Sequence, residues 1–284
     1  MKSFETVALS PGLYIVATPI GNLRDMTLRA LDVLASVDLI VCEDTRVTGK
    51  LLNAFGISKK MLPYNDHNAA NQRGPVLEKL SGGGRIALVS DAGMPLVSDP
   101  GYKLVRDCLD LGIFVTSLPG ANAPLTALQL SGLPSDKFCF LGFLPAKRQA
   151  RLAVMKEWKD APGTLAVFET GPRLCDSLED MLEAWGDRPA AVVREMTKLF
   201  EQSRRGSLLE LAAFYRDDGA PKGEIVVVVG GPPEREYADE DLEKMVAEAL
   251  ETMSVKEASA HVARETGVSK KKLYEMALGL KEEF

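Results

Sequence analysis

Short apolar runs alternate with helical periodicities through the first half of the chain, separated by Gly, Pro and small polar residues. Leu13 to Thr18 (LYIVAT) predicts a strand, and Pro19-Ile20-Gly21-Asn22 a tight turn after it. A helix is expected from about Asp25 to Ala35, with Leu28, Leu31 and Leu34 on one face. Leu39-Ile40-Val41-Cys42 reads as the next strand; it ends in the polar Glu43-Asp44-Thr45-Arg46, followed by a helix to Phe55 and the polar loop Tyr64 to Asn71, which holds His67. Arg85 to Val89, entered from Gly82-Gly83-Gly84, predicts a buried strand. It feeds the loop Ser90 to Gly101 (SDAGMPLVSDPG) and a helix from Tyr102 to Leu111, with Leu104, Val105, Cys108 and Leu109 at helical spacing. Asp99 suits the N-cap of that helix, Pro100 its first position and Gly112 its stop. A fourth strand, Ile113 to Ser117, runs into Pro119 to Pro124 and another helix. Unbroken strand and helix alternation predicts a parallel α/β sheet.

The second half alternates less regularly, so antiparallel pairing is expected there. Strands are predicted at Thr164 to Phe168, Ala190 to Arg194 and Glu224 to Val229, with helices at about Arg173 to Trp185 and Ser207 to Tyr215. A boundary is expected in the GFLPAK segment, Gly142 to Lys147. After Pro232-Pro233 the composition turns acidic as far as Glu251. Two short amphipathic segments follow, broken at Thr266-Gly267-Val268, with Ser254 and Ser269 as N-caps. That is the outline of a helix-turn-helix, and a dimerising helical hairpin fits the pattern equally. The expected organisation is therefore two α/β domains, 1–143 and 144–233, and a small helical domain, 234–284.

Ser90 to Gly101 is the stretch around which the first half is organised. It lies beyond the carboxyl end of a strand, where open α/β sheets bind ligands. A loop of this length is usually functional, although its two Asp and two Pro also suit simple turns. The loop after the first strand, TPIGNL, lacks the Gly-x-Gly-x-x-Gly turn of dinucleotide-binding folds.

Composition narrows the class. At 284 residues, with 46% apolar residues and no apolar run long enough to span a bilayer, a globular protein of about two large domains is expected. The segment MKSFETVALSPG lacks the apolar core of a secretory signal, which points to the cytosol. Cys42, Cys108, Cys139 and Cys175 are dispersed in apolar surroundings and suit reduced core thiols. With only His67 and His261 to supply imidazole, no metal is expected. A net charge of -6 argues against a protein that coats nucleic acid, yet three local basic surfaces stand out. They are Lys147, Arg148, Arg151, Lys156 and Lys159; then Arg194, Lys198, Arg204 and Arg205; then Lys270-Lys271-Lys272. Each could equally be a solvated helix face.

Taken in order, LYIVATPIGNLRDMTLRAL, CEDTR, SDAGMPLVSDPG, LPGANA, SGLPSDKFCFLGFLPAK, REMTKLFE and KGEIVVVV resemble the ribosomal RNA small subunit methyltransferase I family of the tetrapyrrole methylase superfamily. The resemblance covers roughly Leu13 to Gly230, and the tail resembles that family's helical C-terminal domain. It implies an S-adenosylmethionine-dependent enzyme that methylates the ribose 2′-hydroxyl of a cytidine in the decoding region of 16S ribosomal RNA. It also implies two α/β domains with the cofactor between them, and a homodimer. One departure is visible: the family's E-S-P-H-R segment is Glu169-Thr170-Gly171-Pro172-Arg173 here, without the histidine.

By position in those motifs, the resemblance implies that Pro19, Ile20, Ser90, Asp91, Ala92, Gly93, Met94, Val97, Asn122 and Ala123 contact the methyl donor from the first domain. Phe168, Met196, Gly223 and Glu224 do so from the second. A sulfonium nucleoside needs apolar walls, backbone donors and few fixed cations. A weak hydroxyl nucleophile gains from a positioned base, for which Glu43, Asp44 and His67 are candidates, with Glu43 and Arg46 ranked first as the catalytic pair. Asp44, His67, Lys147, Arg151, Arg173 and Lys198 are the expected contacts to RNA, the partner being 16S ribosomal RNA or the small ribosomal subunit. Two other readings remain open on the residues: the same fold acting on a tetrapyrrole or a protein side chain, and a ligand-sensing DNA-binding regulator.

Overall fold

The computed structural model describes residues 4–98, 101–233 and 237–282. The chain divides into two compact units, Met1–Pro232 and Pro233–Phe284.

The first unit holds two five-stranded sheets. The first sheet is built from β1 (Gly12–Val16), β2 (Leu39–Cys42), β3 (Met61–Pro63), β4 (Arg85–Val89) and β5 (Val115–Leu118), in the order β3-β2-β4-β1-β5. Every pairing in it is parallel. Helices cover both faces, so the central strands are apolar on both sides: β1 is buried at all of its positions, and β4 at all but Arg85. The α-helices here are α1 (Leu28–Ser36), α2 (Thr45–Ala54), α3 (Ala69–Ser81), α4 (Tyr102–Asp110) and α5 (Ala123–Ser131).

Three elements differ from the sequence expectation. α1 begins at Leu28, not Asp25, because the Thr27 side chain caps it by accepting the Ala30 N–H, and the residues before it form a 3-10 turn, Leu23–Asp25. β3 and α3 fill the stretch expected as loop and connection. Asp99 and Pro100, expected at the start of α4, lie outside the described residues, and the helix starts at Tyr102.

The second sheet has the order β6-β7-β10-β8-β9, formed by β6 (Phe138–Phe143), β7 (Thr164–Thr170), β8 (Pro189–Arg194), β9 (Gln202–Ser207) and β10 (Glu224–Val229). β6 and β7 are parallel; the remaining pairs are antiparallel, as the irregular alternation suggested. Its helices are α6 (Arg148–Glu157), α7 (Gly171–Trp185) and α8 (Leu208–Asp218). The chain passes between the sheets before β6, so the changeover precedes the Gly142 to Lys147 segment. α5 joins the two sheets into one unit, for Ala127 and Leu128 pack with Ala166, Ala191, Val193 and Val226 of the second sheet.

The second unit is three helices, α9 (Asp239–Leu250), α10 (Val255–Thr266) and α11 (Lys270–Glu282), around Leu242, Val246, Val262, Leu273 and Ala277. Ser254 and Glu257 form a reciprocal capping box at the start of α10, and Gly267 ends that helix in the left-handed region at φ 75°. Among the described residues, no helix is long and apolar enough to cross a membrane.

Candidate active site

In a parallel sheet all strands deliver their following loops to one edge. The turns after β1, β2, β4 and β5 therefore meet there. They are cross-tied. The Thr18 N–H donates to the Gly93 carbonyl at 2.9 Å, and the Gly93 N–H returns to Thr18 at 3.1 Å. The Thr18 hydroxyl reaches the Ser90 carbonyl, and Asp91 accepts the Asp44 N–H at 3.1 Å. Asn122 caps α5 by accepting the Leu125 N–H. The loop from Ser90 holds two non-glycine residues at positive φ, Leu96 at 72° and Ser98 at 68°, and the loop after β8 holds two more, Glu195 at 51° and Thr197 at 65°. Backbone held in this region is characteristic of functional sites.

The second sheet faces this edge with one end of its own. Because β10 runs antiparallel to β7 and β8, Glu224 sits opposite Thr170 and Ile225 opposite Arg194, bringing the ends of β7 and β8 beside the start of β10. Gly223, at φ 102°, lets the chain pass Glu195 closely: a Cβ there would lie 2.2 Å from the Glu195 carboxylate.

Between these two edges is a cavity of about 290 Å³. Of the residues expected to hold the donor, all but Pro19 and Ser90 line it. Met94, Val97, Phe168 and Met196 supply apolar wall, and the aromatic ring of Phe168 packs edge-on to Phe140 at 4.8 Å. Among the described residues its only charged lining groups are acidic: Asp91, Glu169 and Glu224. The Glu169 carboxylate is occupied, accepting from the Ser177 hydroxyl at 2.5 Å and the Thr170 N–H at 2.8 Å. An apolar cavity whose charged lining groups are carboxylates, with no lysine or arginine among them, fits a cationic nucleoside such as S-adenosylmethionine. Phe143, Ser98 and Ile225 also line it and escaped the sequence reading. Phe143 was signalled by the GFLPAK block, which was read as a linker.

A second cavity of about 420 Å³ adjoins the first, sharing Ile20, Asp91, Ala92 and Glu224 with it. Pro19 and Ser90 line this one, Ser90 with its hydroxyl on the Gly93 carbonyl. Lys198 lines it too, its ammonium held by Glu195 at 3.0 Å and Glu224 at 3.1 Å. Burial raises the Asp91 carboxyl above its ordinary range, and the Asp44 backbone hydrogen bond opposes this only in part.

The catalytic pair expected from the sequence does not reach either cavity. Glu43 lines neither cavity, and its carboxyl is raised first by burial and then by the charges of Asp91, Asp66 and Asp44. Arg46 is held by Asp44 at 2.6 Å with its side chain 86% exposed, and that pairing draws the Asp44 carboxyl down to about 2. His67 and Lys147 are exposed and line neither cavity.

Several arginines of the first two basic surfaces are engaged within the chain. Arg151 is buried and pairs with Asp180 at 2.6 Å, so it is not available to RNA. Arg148 binds Asp180 and Glu183. Arg173 donates to the Leu144 carbonyl and pairs with Glu169 at 3.3 Å, tying the start of α7 to the chain after β6. Arg204 lies 3.4 Å from the centre of the Phe214 ring, and Arg205 donates to the Leu130 carbonyl at 2.9 Å. A run of cations cannot be told from a run of buried ion pairs until the partners are placed.

Comparison with known proteins defines the class first. Residues 12–212 match the Tetrapyrrole (Corrin/Porphyrin) Methylases, and residues 236–281 the RsmI C-terminal HTH domain. The fold is shared with diphthine synthase at a TM-score of 0.61, 15% identity, 77% of this chain and 89% of that one. Cobalt precorrin-4 methyltransferase shares it at a TM-score of 0.54, 17% identity, and 77% and 94% coverage. Much nearer in sequence are proteins named ribosomal RNA small subunit methyltransferase I. That of Erythrobacter litoralis is 52% identical over 96% of this chain and 96% of its own length, and that of Escherichia coli O157:H7 is 46% identical over 98% and 99%. The chain belongs to the ribosomal RNA small subunit methyltransferase I family, within the tetrapyrrole methylase fold.

Proposed function

We propose that this chain transfers the methyl group of S-adenosylmethionine to the ribose 2′-hydroxyl of a cytidine in the decoding region of 16S ribosomal RNA. The observation that carries the reading is a pair of adjoining cavities in a chain of this family: one apolar with acidic charges only, and one that opens beside it across Asp91. The donor, when bound, supplies a methyl group on a sulfonium centre. Met94, Val97, Phe168 and Met196 would enclose its flat base, and Asp91 and Glu224 favour its positive charge.

Methyl transfer by in-line displacement needs alignment and exclusion of water above all. The cross-tied loops after β1 and β4 fix the first sheet's share of the cavity walls. Asp91 faces both cavities, and a carboxylate there can accept the proton of a 2′-hydroxyl approaching from the second one. This moves the proton acceptor one strand from the sequence expectation: from Glu43, at the end of β2, to Asp91, at the end of β4. The reading includes a homodimer, as the resemblance implies, and a cytoplasmic reaction on ribosomal RNA.

A tetrapyrrole or protein side chain as acceptor would rest on fold neighbours at 15–19% identity, which share the fold alone. Incubating the protein with methyl-labelled donor and small ribosomal subunits tests the reading. Label on a cytidine ribose is expected; label on a base or on protein would refute it.

A further inference from the structure

The second cavity holds a hydroxyl with no strong partner. Thr48, on the first turns of α2, is only 2% exposed, yet its Oγ1 meets no oxygen or nitrogen, only the neighbouring Cys42 thiol. The Cys42 thiol beside it is a weak hydrogen-bonding group. A buried hydroxyl with only a thiol for partner destabilises the free protein, so its place in the wall of a cavity points to a ligand that completes it. Around it the cavity is graded. Leu23 and Val47 are 48% and 40% exposed, apolar and part of the same lining. Lys50, one residue pair further along α2, is exposed and lines the cavity, and it forms no ion pair among the described residues. Asp91 lies where this cavity meets the first.

We infer that the second cavity takes one unstacked nucleotide of the RNA acceptor. Leu23 and Val47 flank its base at the rim, Lys50 meets a phosphate, and the Thr48 hydroxyl bonds the polar edge of the buried part. The chemistry is that of single-stranded RNA recognition, in which a splayed nucleotide offers a flat apolar face, polar edges and an anionic backbone. A tetrapyrrole carries no phosphate for Lys50 and is far wider than one nucleoside. The inference rests on the proposed methyl transfer and adds to its acceptor site Val47, Thr48 and Lys50 of α2, which lie outside the sequence motifs.

The test uses Thr48→Val, Lys50→Ala and the wild-type protein, with small ribosomal subunits as acceptor and S-adenosylhomocysteine as the probe of the donor cavity. Thr48→Val is expected to lower kcat/KM for subunits by roughly tenfold, in line with one hydrogen bond of about 1.4 kcal/mol. It should leave S-adenosylhomocysteine affinity unchanged and the melting temperature equal or higher, since only a weak thiol contact is lost in the free protein. Lys50→Ala should raise KM for subunits and reduce the log-log salt slope of kcat/KM by about 0.7. Two results would overturn the inference: a Thr48→Val protein that melts lower and methylates normally, or both variants matching wild type in acceptor kinetics and salt slope. Wild-type protein that binds S-adenosylhomocysteine but labels no RNA would instead sink the methyl-transfer reading itself.

Discussion

The two sheets of the first unit have the same number of strands and different work. The first is wholly parallel, so its strand-end loops converge on one edge and bring Asp91, Gly93, Asn122 and Ile20 to the cavities. The second is mostly antiparallel, and the walls it supplies come from strand ends pinned by internal pairs such as Arg173–Glu169 and Lys198–Glu195. On the proposed reading the chemistry falls to the loop edge of the first sheet, while charged residues around the second sheet are engaged in internal pairs. Substitutions in the two regions should separate accordingly.

The largest expected effect is on the loop edge. Asp91→Asn should lower the methylation rate by about 10²–10⁴-fold at saturating donor and acceptor, the usual contribution of a positioned base. Burial raises the Asp91 carboxyl, so its ionised form opposes folding above the ordinary carboxylate range. The neutral variant should therefore melt no lower than wild type at pH 7, as calorimetry would record. Next comes the second sheet. Arg151→Ala leaves Asp180 buried and unpaired and should cost about 3–5 kcal/mol of stability in urea titration, with methylation by the folded fraction preserved.

Gly223→Ala forces a side chain onto Glu195 at a positive φ and should cost about 1–3 kcal/mol, together with weaker donor binding. A pH profile sharpens the comparison further. With Asp91 as acceptor of the proton, the rate should rise with pH through a value above the usual carboxylate range and then level, and that limb should vanish in Asp91→Asn. Smallest of all, Arg46→Ala removes a solvent-screened exposed pair and should leave the urea midpoint essentially unchanged. A loss of rate from Arg46→Ala as large as that from Asp91→Asn would break the distinction between residues on the cavities and residues behind them.

The same contrast explains what was legible in the sequence. Buried parallel strands such as LYIVAT and RIALV are continuous apolar runs and were visible at once. β9, QSRRGS, is a polar edge strand whose ladder partner, β8, lies across a loop, and no periodicity marks it. β6 is interrupted by an irregularity between Phe140 and Phe143, which made it read as a linker. Motif position brought most of the first cavity's lining into view, because loops at one sheet edge must meet. It could not reveal that Arg151 faces Asp180, since ion pairing across 29 residues depends on how α6 packs on α7. Nor could it separate Glu43 from Asp91, both acidic and both at strand ends; only burial and cavity position rank them.

The central claim is that the edges of the two sheets enclose a site for a cationic nucleoside methyl donor. Isothermal titration of S-adenosylmethionine into the purified full-length chain tests it most directly. Saturable binding with one site per chain is the expected result, abolished when Met94 is replaced by Arg so that a fixed cation enters the cavity. Absence of any binding heat from the wild-type protein, with and without small ribosomal subunits, would contradict the account.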